Sequence, residues 1–172
     1  MDDKEFEEKT DALHDEIIKN AAGWGELPLT VFLYTPHGEE IHMVIDELAN
    51  ATGVGMPDML DQLKPMIKGD NDVAGVLLVA MASGPPNLEE LSEADKEKFI
   101  EASKRLISGE TDLIEDICCR MTMIFVIESR NGYTRFYIHP FNRAEDGTVT
   151  LGPNEATEEL KSGAGSLAGF FK

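Results

Sequence analysis

The stretch that decides the fold runs from residue 121 to residue 139 and reads MTMIFVIESRNGYTRFYIH. Two runs rich in β-branched and aromatic residues, 121–129 and 133–139, flank the dipeptide Asn131-Gly132. Asn-Gly between two such runs is the strongest short-range signal for a β-hairpin, because both residues tolerate the positive φ angles of a tight turn. The sequence therefore predicts an antiparallel hairpin here.

A two-residue turn at Asn131-Gly132 also predicts which side chains share a face of the hairpin. It pairs Arg130 with Tyr133, so that Glu128 lies opposite Arg135 on a polar face. The other face is apolar and is expected to form the core. The predicted pairs are Ile127 with Phe136 and Phe125 with Ile138 on the apolar face, and Val126 with Tyr137 and Ile124 with His139 on the polar face.

The polar face of this hairpin is basic in an acidic chain. Four of the five arginines lie between residues 117 and 143, beside a single acid, Glu128. One interpretation is a solvated sheet face with an ion pair between Glu128 and Arg135. The other is a surface that binds an acidic partner or a second copy of the chain, because Arg and Tyr are enriched at interface hot spots. Its predicted contact residues are Arg120, Arg135, Tyr137 and His139.

A second hairpin and two further strands complete the predicted sheet. Residues 29–35 and 40–45 flank His37-Gly38, where a two-residue turn fits. The apolar run 73–82 predicts a buried strand, and residues 148–151 predict a short final strand.

Helical spacing of apolar residues predicts an amphipathic helix over residues 3–22 and two shorter pieces within 46–69. Pro65 is expected to limit the second piece, because a proline ring clashes with the preceding helical turn. Ser92-Glu93-Ala94-Asp95 resembles a capping box and predicts a helix that ends by Gly109, with a shorter helical segment over 112–117.

These elements predict an α+β fold with an antiparallel-rich sheet, built from two β-hairpins plus a central buried strand and packed with three to four helices. We assign residues 1–152 to this single domain. Residues 153–172 are predicted to form a C-terminal tail with a short helix and a Gly-rich apolar end.

The charge and the cysteines restrict the class of protein. The net charge of −18 opposes direct nucleic-acid binding over most of the surface. The longest apolar run is about half of the roughly 20 residues that span a bilayer, and the acidic start lacks a secretory pattern. Cys118 and Cys119 are adjacent and are not expected to form a disulfide. A cytoplasmic protein that binds no membrane is the expectation.

No motif for catalysis, a cofactor or a metal emerges from the sequence. Gly53-Val54-Gly55 follows a helical segment and lacks the third glycine and the lysine of a phosphate loop, so it predicts a turn between two helices. No two of the four histidines have the i, i+4 spacing of a helical metal site. We therefore predict no catalytic residues, no cofactor and no metal.

The end of the chain carries the one family resemblance. Leu167 followed by Phe170-Phe171 is similar to the peptide by which many archaeal and eukaryotic proteins bind the replication sliding clamp. In that peptide an aliphatic residue and two aromatics fill an apolar pocket, and a glutamine precedes the aliphatic residue by three positions. Ala164 stands at the glutamine position here. The resemblance implies that Leu167, Phe170 and Phe171 bind a partner.

Docking of the same residues on their own domain is the alternative. The sequence Ser162-Gly163-Ala164-Gly165 predicts a flexible connection and hence a separable tail. The function we expect is a noncatalytic protein-interaction or regulatory domain that forms a homodimer. The alternatives are a small enzyme whose site is assembled only in the fold, and a sliding-clamp-associated protein.

Overall fold

The computed structural model describes residues 1–21, 27–84, 91–107, 120–143, 146, 148–157 and 167–172. The described part contains an antiparallel six-stranded sheet and four helices, which confirms the predicted α+β class. In chain order the elements are α1 Asp3–Asn20, β1 Thr30–Tyr34, β2 Glu40–Val44, α2 Ile45–Thr52, α3 Met56–Gly69, β3 Gly75–Gly84, α4 Glu93–Ile107, β4 Arg120–Ser129, β5 Thr134–Arg143 and β6 Val149–Leu151.

The strand order is β2-β1-β3-β4-β5-β6, and every neighbouring pair is antiparallel. Both predicted hairpins form, and the predicted buried strand lies in the middle as β3. The Gly53–Gly55 turn connects α2 to α3, as predicted, with Gly53 in the left-handed region at a φ of 72°. The segment 112–117 and the two cysteines lie outside the described residues.

Both hairpins have three-residue loops, which shifts the predicted register by one. Ser129 donates its main-chain N–H to the Tyr133 carbonyl across 2.8 Å, and Thr35 does the same to Glu39 across 2.9 Å. Each loop ends in a glycine with positive φ, Gly132 at 97° and Gly38 at 79°. This is the geometry of a turn followed by a left-handed residue that forms a β-bulge.

The shift changes which side chains of the two paired strands share a face, because successive residues of a strand point to opposite sides. The predicted partners in the second hairpin are therefore wrong. Phe125 pairs with Tyr137, Ile127 with Arg135, Met123 with His139 and Glu128 with Thr134. Arg135, Tyr137 and His139 thus share a face with Phe125 and Ile127, whereas a two-residue turn predicts them on the opposite face.

Helices cover both faces of the sheet. On one face Phe6 and Ile17 of α1 pack on Leu77, Phe125 and Ile127, and on the other face the side chains of α2 and α3 form a second core. Gly75 of β3 lies directly beneath α1, since a Cβ atom there would come within 2.3 Å of the Phe6 ring. The second core contains Ile45, Leu60, Ile67, Val76, Leu78, Val126, Ile138 and Phe170.

The expectation that Pro65 limits its helix is wrong, because α3 continues through Pro65 to Gly69. Contacts with other parts of the protein stabilise the last turn of α3. Ile67 is buried, and the guanidinium of Arg130 donates hydrogen bonds of 3.2 Å and 3.1 Å to the Ile67 and Lys68 carbonyls. Tertiary packing and a cation at the helix C-terminus thus compensate for the bond that proline removes.

Within the described part of the chain, we find no helix that is both long and apolar enough to cross a membrane.

Candidate functional site

Six side chains on α1 and β5 form a continuous polar group between the helix and the sheet, which we call the α1–β5 cluster. Residues 7, 11 and 14 recur at helical spacing, and residues 135, 137 and 139 alternate along a strand, so each set lies on one face of its element. The cluster consists of Glu7, Asp11 and His14 on α1, and Arg135, Tyr137 and His139 on β5.

Arg135 is the cation of this cluster, and two carboxylates of α1 neutralise it. Its guanidinium forms an ion pair with Glu7, contacts both oxygens of Asp11 at 3.1 Å and 3.3 Å, and donates to the Tyr137 hydroxyl at 2.9 Å. The Tyr137 hydroxyl in turn donates to Asp11 across 3.1 Å. Arg135, Asp11 and Tyr137 thus bond to one another in a closed triangle.

The two histidines occupy the buried end of the cluster. The Nε2 atoms of His14 and His139 are 3.0 Å apart, and both residues are buried. The His14 ring stacks on Tyr137 with centroids 4.1 Å apart and meets the edge of Phe125 at 4.6 Å. On their outer sides, His139 Nδ1 lies 2.8 Å from the Gly152 carbonyl and His14 Nδ1 lies 3.1 Å from Asp15.

The pKa shifts in the cluster follow from burial and charge. Burial raises the pKa of the Tyr137 phenol, so that it stays protonated at neutral pH. Burial opposes the charge of Arg135, but its hydrogen bond to Tyr137 and the nearby Tyr137, Tyr133 and Asp11 side chains together outweigh that effect, and the pKa is raised. Burial lowers the pKa of His14, an effect that the hydrogen bond to Asp15 reduces. At neutral pH these groups are therefore a phenol, a guanidinium and an imidazole.

This arrangement differs from the open sheet face that the sequence predicted. Helix α1 covers Arg135, Tyr137 and His139, and only 34% of the Arg135 side chain is exposed. Arg120 begins β4, but its side chain lies outside the described part of the structure. That these residues bind a partner stays a prediction. A signal was present in α1, where Glu7, Asp11 and His14 form a polar stripe within an amphipathic helix.

The His14 shift predicts a specific pH dependence of stability. Because the folded protein binds a proton at His14 less readily than the unfolded chain, this residue contributes nothing above its unfolded pKa of 6.5 and destabilises the fold as the pH falls below it. The slope is at most about 1.4 kcal/mol per pH unit for one proton. Urea unfolding between pH 7.5 and 5, with a chelator present, should show the decline. His14→Gln should flatten it and the surface control His37→Gln should not. An unchanged slope in His14→Gln would contradict the assignment.

The second candidate site lies on the opposite face and holds residues 167–172, here called the tail segment. Phe170 of this segment is fully buried in the core of α3 and the sheet, with 0% of its surface exposed. The carboxylate of Glu128, itself 3% exposed, accepts the main-chain N–H groups of Gly169 and Phe170, each at 2.8 Å. Gly169 has a φ of 88°, the left-handed conformation that favours glycine. We call the surface that holds this segment the tail groove.

Cations line the outer side of the tail groove. The Arg130 guanidinium lies over the Phe171 ring at 5.0 Å, while its nitrogens donate to the carbonyls at the end of α3. Lys64 lies 5.9 Å from the centre of the Phe170 ring, and Lys68 donates to the Lys172 main-chain oxygen across 2.6 Å. The tail segment thus contacts both α3 and Arg130 in the loop between β4 and β5.

The predicted ion pair between Glu128 and Arg135 is therefore wrong. The two side chains lie on opposite faces, and Glu128 binds the tail segment whereas Arg135 binds α1. Of the two alternatives for the tail, residues 167–172 take the docked one. Residues 158–166 of the predicted tail, with the Ser162–Gly165 connection, lie outside the described residues.

The described residues also bear on the alternative of an enzyme. That alternative requires His42 or His139 to meet a carboxylate in a deep pocket. His42 lies exposed on β2, and His139 contacts His14 and the Gly152 carbonyl. A pocket of about 210 Å³ lies at the start of α1, between Asp3, Phe6 and Asn131, and its lining residues include no histidine. Among the residues that the structure describes, no three His, Cys, Asp or Glu side chains are grouped to hold a metal.

Comparison with protein-family models, with curated proteins and with solved structures finds no match to this chain.

Proposed function

We propose that this chain is a noncatalytic protein-interaction domain that binds an aromatic peptide segment in the tail groove, and that it forms homodimers by accepting the tail segment of a second copy. The observation that carries this proposal is the contact of one buried carboxylate, Glu128, with two successive main-chain N–H groups around a fully buried Phe170. Main-chain hydrogen bonds that fix a segment, beside a pocket for one aromatic anchor, are the means by which grooves bind peptides.

The buried Glu128 carboxylate strongly favours a tail groove that is occupied by hydrogen-bond donors. A buried charge that loses its hydrogen bonds costs several kcal/mol, far more than the bonds contribute in net terms. Because the main chain of Gly169 and Phe170 supplies those bonds, another peptide with the same backbone conformation satisfies Glu128 equally well. Selectivity then comes from the aromatic pocket and from the left-handed glycine that precedes it.

Self-association follows from the presence of groove and ligand in one chain. A groove that accepts its own tail segment also accepts the same segment of a second copy, and such exchange is a low-cost route to a symmetric dimer. The sliding clamp is a separate proposed partner, and it rests on the resemblance of Leu167, Phe170 and Phe171 alone. Binding to a clamp requires the tail segment to leave the groove, because Phe170 fills a pocket in its own domain.

A peptide titration tests the groove. The full-length Phe170→Ala variant keeps the groove but has a weak ligand of its own, so it should bind a labelled peptide of residues 161–172. We expect micromolar affinity by fluorescence anisotropy, at least about tenfold weaker for a peptide with Phe170→Ala, since that ring contributes about 2 kcal/mol or more. Glu128→Gln in the protein should weaken the same binding. Equal affinity for the two peptides would exclude the groove as their site.

A mixing experiment tests exchange between copies. The Phe170→Ala variant has an intact tail groove but a tail segment that binds weakly. The Glu128→Gln variant has an intact tail segment but a tail groove that binds weakly. If exchange occurs, an equimolar mixture should form a heterodimer in sedimentation velocity that neither variant forms alone to the same extent. A mixture that sediments as the sum of its components would rule out exchange and leave the groove as a site for its own segment. Pull-down of a sliding clamp by wild type and by Phe171→Ala tests the other partner separately.

A further inference from the structure

On the basis of the proposed function, we propose that the preferred ligand of the tail groove is a segment of another protein with an acidic end. In this segment a glycine and two aromatic residues are followed directly by aspartate or glutamate. The observation behind this is a set of three cations around the docked aromatic rings, Lys64, Lys68 and Arg130, which we call the cationic rim. The resident tail segment places a fourth cation, Lys172, beside this rim.

The cationic rim is assembled from the C-terminal half of α3 and the loop between β4 and β5. Lys64 and Lys68 are four positions apart in α3, so they lie on the same face of the helix. Two like charges at this spacing destabilise a helix slightly. Arg130 adds a third charge, because its guanidinium lies 5.0 Å from the Phe171 ring. In a chain with 15 basic and 33 acidic side chains, this groove therefore favours an anionic ligand more than most of the surface does.

Much of the charge of the cationic rim is not neutralised by the protein itself. Within the part of the chain that the structure describes, neither Lys68 nor Arg130 forms an ion pair with a side-chain carboxylate. Lys64 has the Asp61 carboxylate 4.0 Å away. Arg130 donates to four main-chain carbonyls at and after the end of α3. Because carbonyl oxygens carry only partial charges, the guanidinium keeps a net positive charge that a ligand can meet.

The position after the second aromatic residue lies next to the cationic rim. Lys68 Nζ is 2.6 Å from the Lys172 main-chain oxygen. Covalent geometry then places the Cβ atom of residue 172 within about 7 Å of this ammonium group. A glutamate side chain at this position reaches ion-pair distance of Lys68, whereas the exposed lysine that occupies it leaves the rim without an anion. An acidic residue therefore replaces a like charge with an opposite charge.

The acidic residue adds to the contacts that already fix the segment. Glu128 contacts the main chain at positions 169 and 170, whereas the cationic rim contacts positions 170 to 172. The tail groove thus has a negative group at the start of the bound segment and positive groups at its end. This order of charges also fixes the direction in which a partner segment binds.

The test compares labelled peptides of residues 161–172 with identical terminal groups, titrated with the full-length Phe170→Ala chain. At 0.1 M salt the Debye length is about 10 Å, so the rim acts while the acidic remainder of the surface is largely screened. We expect the Lys172→Glu peptide to bind at least about threefold tighter than the natural peptide. The matched control is a Lys161→Glu peptide, which carries the same charge change nine positions before Phe170 and should bind no tighter.

Two further measurements assign the preference to the cationic rim. Lys68→Gln in the protein should bring the ratio of the two affinities towards one, whereas Lys19→Gln on α1, on the other face of the sheet, should leave it unchanged. At 1 M salt, with a Debye length of about 3 Å, the preference should disappear. If the natural peptide binds and the Lys172→Glu peptide binds no tighter, or no tighter than the Lys161→Glu peptide, the acidic preference is wrong and the proposed function stands. Binding of neither peptide would overturn both.

A thermal scan does not depend on the folding of Phe170→Ala. Lys172→Glu in the otherwise natural chain should raise the melting temperature by about 1–5 °C, because the docked segment then meets the cationic rim with an opposite charge. Added negative charge generally destabilises a protein whose net charge is already −18, so the sign of the change is diagnostic. Lys161→Glu makes the same change in net charge and should not raise the melting temperature. An equal or lower melting temperature for Lys172→Glu would contradict the preference of the rim.

Discussion

Replacing Phe170 with alanine is expected to lower the free energy of unfolding by about 3–5 kcal/mol, the usual cost of removing a fully buried phenylalanine. Phe170 is 0% exposed and belongs to the same core as Ile67, Val126 and Ile138. For a chain of this length the melting temperature should fall by roughly 2–4 °C for each kcal/mol. Urea unfolding followed by circular dichroism measures the free energy, and a thermal scan of the same samples checks it.

Phe171→Ala is the matched control, because Phe171 is only partly buried at the edge of the second core, with the Arg130 guanidinium 5.0 Å from its ring. A cation–π contact of this kind contributes about 0.5–2 kcal/mol, so the loss should be clearly smaller. If both substitutions cost less than about 1 kcal/mol, the docked position of the tail segment is wrong.

The free energy that Phe170 contributes also determines how often the tail segment leaves the tail groove. A tail segment that stabilises its own domain by 3–5 kcal/mol leaves the groove in roughly one molecule in 10² to 10⁴. A free peptide must compete with that occupant, which is why the titration uses the Phe170→Ala chain. Exchange between two copies escapes this cost, because each groove releases one segment and gains an identical one.

The elements of the fold were predictable from the sequence, whereas the register of the hairpins was not. Asn131-Gly132 and His37-Gly38 signal a turn, but the sequence does not state whether the glycine is the second residue of a two-residue turn or the last of three. The structure has Arg130 and Pro36 inside the loops as well. Because strand side chains alternate, one additional loop residue exchanges the β5 side chains that share a face with a given β4 side chain. Arg135 therefore meets α1 instead of Glu128.

The candidate sites depend on contacts between distant segments, which periodicity does not encode. His14 and His139 are 125 positions apart, and Glu128 lies 41 positions before Gly169. One local signal did exist, since Glu128 interrupts an apolar strand face that also carries Ile124 and Val126. A carboxylate in such a position must find hydrogen-bond donors when the face is buried. The sequence could indicate that need, but not that the tail segment meets it.

Replacing Gly75 with valine is expected to destabilise the protein by about 3 kcal/mol, at the upper end of the range for overpacking. A Cβ atom at this position would lie 2.3 Å, 2.6 Å and 2.9 Å from three atoms of the Phe6 ring. Valine is the better β-strand residue, so propensity alone predicts a gain in stability. Urea unfolding thus separates the two arguments by the sign of the change.

Phe6 cannot move aside without cost, because it meets Tyr34 and Tyr133 edge-on at 5.5 Å and 6.0 Å. The whole of α1 must therefore shift outward in Gly75→Val. The contacts between α1 and β5 in the α1–β5 cluster should then loosen as well. Gly69→Ala is the control, since a Cβ there meets nothing within 4 Å.

Adding Phe6→Ala to Gly75→Val removes the clash, and the two changes together should cost less than the sum of the single changes. Additive losses would mean that α1 does not press on β3.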